Sequence, residues 1–171
     1  KVLARVDNGA IASQVNELVT LIRSHCSAAS NSALRQSLET LGDRRTIECW
    51  GRGWLRKADR FPAPPVSGGA DFVPISPAQM ASTGRRFRNC LETKIGHVLA
   101  GRMAFYEVPS FRAIAVAVRL EDGWTVTRVH GWANGPVDDV AVASVKMKAR
   151  RHGLRVLIPA IGETPITKLF D

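Results

Sequence analysis

The chain has 171 residues, 45% of them hydrophobic and 23% charged, which suits a globular fold of about one domain and excludes a disordered or fibrous composition. Lys and Arg number 24 against 15 Asp and Glu, a net charge of +9 that favours polyanions: nucleic acid first, an anionic membrane or acidic protein surface second. Three cysteines without a CxxC pair (Cys26, Cys49, Cys90) argue against a disulfide framework or zinc ribbon, and no apolar run approaches the roughly 20 residues of a bilayer span.

Residues 9–28 place Ile11, Val15, Leu18, Val19, Ile22 and Cys26 at helical spacing behind Asn8 as N-cap. Leu34, Leu38 and Leu41 predict a second helix over 32–41, stopped by Gly42, so the chain should open with a helical hairpin. In 44–60, RRTIECWGRGWLRKADR, Gly51 and Gly53 predict broken structure, and the Pro/Gly-rich stretch after it reads as a connector over 61–76. Ser76-Pro77 starts a short helix, and Thr83 opens another to about Ala100 with Phe87, Leu91, Ile95, Val98 and Leu99 on one side. MAFYEV (103–108), RAIAVAVRL (112–120) and WTVTRVHG (124–131) predict three strands, the last two joined by a Glu121-Asp122-Gly123 turn. A last helix over 137–152 carries Val137, Val140, Ala141, Val145 and Met147 as its apolar positions, with acid at its start, base at its end and Gly153 as its stop. LRVLIPAI reads as a short strand and the tail as an extended arm. The expected fold class is α+β: an N-terminal helical part (1–60), the connector, and a core (77–171) of helices packed on a small, mostly antiparallel sheet.

Three basic clusters carry the charge: Arg44, Arg45, Arg52, Arg56, Lys57 and Arg60; Arg85, Arg86 and Arg88; Lys146, Lys148, Arg150 and Arg151. Such residues neutralise phosphates, and Trp50 and Trp54 would offer faces on which unpaired bases stack. On an amphipathic helix the same charges are ordinary solvated faces; three clusters together favour polyanion binding. A second constellation is Cys90, placed early in the predicted 83–100 helix beside Arg86 and Arg88, with His130 as base and Asn134 to orient it. The bland alternative is a buried cysteine acting as a small hydrophobe. HGWANGP (130–136) reads as a tight turn that aims Trp132 into the core. The four histidines share no HxxxH or HExxH spacing, so no metal or other cofactor is expected.

Pro74-Ile75, Gly84, Asn89-Cys90-Leu91, Gly101, and His130-Gly131 with Asn134 fall in an order that resembles the PcfJ-like proteins of conjugative plasmids, phages and other bacterial mobile elements, over about residues 72–153. In two places the chain departs from that family, with Asn89 for its histidine and His130 for its glutamine. The resemblance implies a mobile-element protein acting near DNA, and a pocket shared by the segments around Cys90 and His130. Together these readings predict a cytoplasmic, non-enzymatic nucleic-acid-binding accessory protein of a mobile-element or defence-related system, with DNA or RNA as partner and no membrane. The alternatives are a Cys-dependent hydrolase or transferase, and an inhibitor or assembly subunit that binds an acidic protein surface within a larger complex.

Overall fold

The computed structural model describes residues 9–41 and 46–158. Arg44, Arg45, the expected caps Asn8 and Gly42, and the C-terminal arm lie outside that range. The fold is α+β, and the chain divides into two compact units, Lys1–Pro62 and Ala63–Asp171.

In the N-terminal unit the described helices are α1 (Gly9–His25), α2 (Asn31–Glu39) and α3 (Ile47–Leu55). Ser30 caps α2 by accepting from Ala33 N–H, and Thr46 caps α3 by accepting from Cys49 N–H. The expected break at Gly51 and Gly53 does not occur, because both lie inside α3. Gly51 has a packing role: a Cβ there would stand 2.5 Å from Leu18 Cδ2 of α1, so its absence lets the two helices approach closely. Trp50 and Trp54 turn inward from α3, 6% and 8% exposed. Both indole N–H groups donate to Ser37 Oγ, at 2.9 and 3.0 Å, while the Ser37 hydroxyl donates to Leu34 O. One hydroxyl thereby satisfies both ring donors of a small core that also holds Ile22, Cys26, Leu34 and Leu55.

In the C-terminal unit a five-stranded sheet runs in sequence order: β1 (Val73–Pro74), β2 (Met103–Val108), β3 (Ala113–Leu120), β4 (Gly123–His130) and β5 (Arg155–Val156). The first four are antiparallel, and β5 pairs parallel with β4. The strands β2, β3 and β4 lie within a residue of the positions read from their apolar runs. Residues 63–76 are not a free connector. Phe72 is fully buried and stacks on Tyr106 at 4.5 Å, and Val66 N–H donates to the Tyr106 hydroxyl.

Both sheet faces are covered, which explains why Ala113 to Ala117 are buried without alternation. Against one face, carrying Ala104, Tyr106, Val108, Ala115, Ala117 and Val126, pack Val145 and Ala149 of α6 (Asp139–Arg151). The opposite face carries Phe105, Glu107, Ile114 and Val116. It is covered by α4 (Met80–Phe87), whose Arg86 reaches Glu107, and by α5 (Ile95–Leu99), which packs on β2.

Two expected helices differ from what forms. Ser76 and Gln79 make a capping box with Pro77 at the first position, and that turn runs straight into α4. The helix then ends at Phe87 instead of continuing to Ala100. Arg88 adopts the left-handed region (φ 50°, ψ 47°), with Arg88 N–H to Arg85 O and Asn89 N–H to Gly84 O closing a Schellman-type end. Asn89 Oδ1 then accepts from Leu91 N–H and starts a separate turn, Leu91–Lys94. Phe87, Leu91, Ile95, Val98 and Leu99 are all buried even so. In α6, Asp138 caps the start by accepting from Ala141 N–H at 2.6 Å. Val140 and Met147, expected inside, face solvent, while Ala141, Val145, Lys148 and Ala149 form the buried stripe.

Candidate functional site

One end of the C-terminal unit collects the unusual backbone. The loop after β4 folds on itself: Gly131 N–H donates to Gly135 O and Gly135 N–H to Trp132 O, both at 2.9 Å. Ala133 (φ 53°) and Asn134 (φ 57°) are consecutive left-handed residues inside that ring. The turn Trp132–Asn134 packs against α4, and the Arg88 guanidinium lies over the Trp132 ring at 5.0 Å from its centre. Trp132 is 53% exposed, not aimed into the core as its sequence context suggested.

Beside this corner the sheet sets up a row of side chains. Glu107 on β2 pairs with Ile114 on β3, and Ile114 pairs with His130 on β4, so all three point to the α4 side. Glu107 holds Arg86 in a two-pronged ion pair, Nη1 to Oε1 at 2.7 Å and Nη2 to Oε2 at 2.6 Å. That pair ties α4 to β2 and balances the charge of Arg86, whose side chain is still 56% exposed. The His130 pKa is lowered, first by burial and then by the positive charge of Arg128.

The sequence-predicted residues separate into several environments. Cys90 is exposed between the carbonyl end of α4 and the short turn Leu91–Lys94, to which it is the capping residue, and its carbonyl accepts from Thr93 N–H. His130 is half-buried at the end of β4 and Asn134 is exposed in the loop. No hydrogen bond among the described residues links Cys90, His130 and Asn134, so the chain of contacts that a Cys-His-Asn site uses is not formed. Lys148 is 8% exposed, with Nζ 3.3 Å from Asp71 Oδ2 and 3.4 Å from Ser110 Oγ; it is an internal tether and not a phosphate contact. Trp50 and Trp54 are likewise internal, which removes them as stacking faces. Arg52, Arg56, Lys57 and Arg60 in the N-terminal unit are exposed, as are Arg85, Arg88, Arg150 and Arg151 in the C-terminal unit; Lys146 is half-buried.

Sequence reasoning assigned Trp132 to the core and gave Cys49 no role. The signal for Trp132 was its setting, a lone aromatic in a Gly/Asn/Pro turn outside any apolar period. For Cys49 it was Thr46 three residues earlier, the spacing of an N-cap and its partner. The exposed Cys49 thiol has its pKa lowered, first by a hydrogen bond from Thr46 and further by the nearby Arg52 charge. Among the described residues no cluster of His, Cys, Asp or Glu fits a metal ion, and no helix is long and apolar enough to cross a membrane. No protein-family model matches the chain, and no curated protein or solved structure matches it.

Proposed function

We propose that the chain is a nucleic-acid-binding accessory protein, non-enzymatic, which contacts phosphates through exposed arginines and lysines. One observation carries this reading: folding leaves most of the basic clusters in water. Of the cluster residues described, Arg86 is paired with Glu107 and Lys148 is buried; every Arg of the clusters stays exposed. In water such charges release counterions from a polyanion when they bind it. The resemblance of residues 72–153 to the PcfJ-like proteins supports a setting on a bacterial mobile element or in a defence-related system, in the cytoplasm.

The test is a salt titration of binding to short DNA and RNA. Affinity should fall with salt by roughly 0.7–0.9 log units per log unit of salt for each phosphate contacted. No measurable binding at low salt overturns the reading. A pull-down of protein that persists after nuclease treatment would point instead to an acidic protein surface as the partner.

A further inference from the structure

The corner at Trp132 combines three costs that folding alone does not repay. An aromatic ring is large and apolar and is favoured by burial, yet Trp132 stays 53% exposed. Ala133 sits in the left-handed region, which a residue with a Cβ seldom adopts. Arg88 occupies the same region at a helix end where glycine is usual. These outliers converge on one ring. The closed hydrogen-bonded loop fixes the backbone that carries the indole, and Arg88 covers one face of the ring. A flat, rigid, partly solvated ring with a guanidinium on one side is the arrangement that nucleobases stack on.

Resting on the nucleic-acid reading above, we propose that Trp132 is the stacking site for an unpaired base, with Arg85 and Arg88 on the flanking phosphates, so that single-stranded nucleic acid is the preferred ligand. In a duplex the base faces are occupied by their neighbours, and an indole fixed on a folded loop has nothing to stack on. Arg85 and Arg88 lie three positions apart at the end of α4, both exposed. Past the loop in sequence, Asp138 and Asp139 begin α6 with carboxylates that repel phosphate, so the phosphates are assigned to Arg85 and Arg88. Trp132 thus takes the role the sequence suggested for Trp50 and Trp54.

The experiment measures binding of the full chain, by fluorescence anisotropy at low salt, to a single-stranded DNA, a single-stranded RNA and a DNA duplex. Each is about 12 nucleotides or base pairs long, within the usual span of single-strand sites. The intact protein should prefer the single strands, and the DNA and RNA arms show which of the two it takes. Trp132→Ala should weaken single-strand binding by about 5- to 100-fold and leave duplex binding nearly unchanged, and Trp132→Phe should retain most of the affinity. Because Trp132 is exposed, circular dichroism should show both variants folded. An unchanged single-strand affinity in Trp132→Ala, or an equal loss on single strand and duplex, overturns the stacking site while leaving the phosphate-contact reading standing. Failure of the intact protein to bind any of the three ligands overturns both.

Discussion

Cys49, Cys26 and Cys90 show how much the reactivity of a side chain depends on what lies within a few ångströms of it. Cys26 is buried, donates its S–H to Trp54 O, and has its thiol pKa raised by burial and then by Asp59. Cys49 is exposed in the first turn of α3, within reach of Thr46, and Arg52 Nη2 lies 3.8 Å from its sulfur. The thiolate is the species that attacks an alkylating agent, so a lowered pKa together with exposure makes Cys49 the faster of the two. With iodoacetamide near neutral pH, peptide mapping should find Cys49 modified early and Cys26 modified only once the chain is unfolded. Cys90 is exposed as well, but the enzymatic reading requires more of it: labelling well ahead of Cys49, slowed by substitution of His130. If Cys90 does not lead, the Cys90–His130–Asn134 site has no chemical support.

At the scale of elements, apolar period and turn residues located β2, β3, β4 and the helix start at Ser76-Pro77, where the local signal and the observed structure agree. The helix α6 was marked by its end charges and Gly153 more than by its apolar stripe, since Val140 and Met147 face solvent. Where local signals failed, one was missing or was overridden by packing. Nothing at Arg88 announces the end of α4, since the left-handed position there is held by an arginine and the stop depends on Asn89 and on close approach of the backbone at Gly84. In α3 the two glycines looked like breaks, but burying Trp50, Trp54 and Leu55 in the core of the N-terminal unit outweighs their weak helix propensity. The site was legible only in part. Arginine counts showed the charge, whereas the pairing of Arg86 and the outward turn of Trp132 depend on contacts distant in sequence. The two glycines of α3 also make a sharp comparison. Gly53 has no heavy atom within 4 Å of where a Cβ would stand, so Gly53→Ala should stabilise by about 0.5–1 kcal/mol through helix propensity alone. Gly51→Ala requires the Leu18 tip to move and should gain less. Thermal unfolding of the two variants tests this, and a lower midpoint for Gly53→Ala would refute it.

For the whole molecule, the same burial that places the site also sets how folding responds to acid. His97 and His130, both in the Ala63–Asp171 unit, have their pKa values lowered. Burial is the first cause for each, followed by Lys94 and Arg102 for His97 and by Arg128 for His130. In the unfolded chain a histidine titrates near pH 6.5. Between that value and the lower folded values, the unfolded chain binds protons that the folded chain refuses. Stability therefore rises with pH across this window, and above about pH 6.5 these groups contribute no further slope. Lowered carboxylates act in a separate range: Asp71, held down chiefly by its hydrogen bond from Lys148, loses its contribution only as pH falls below its unfolded value near 4. Thermal midpoints taken from about pH 7.5 down to 5 should be flat at first and then fall, and the fall should shrink in His130→Asn and shrink again when His97→Asn is added. A midpoint that rises on acidification, or a fall of the same size in the double variant, would mean that neither ring is kept neutral by the fold. Because Arg128 adds to the effect at His130, Arg128→Gln should also soften the slope, and it should do so less at high salt, where the charge of Arg128 is already screened while burial is not.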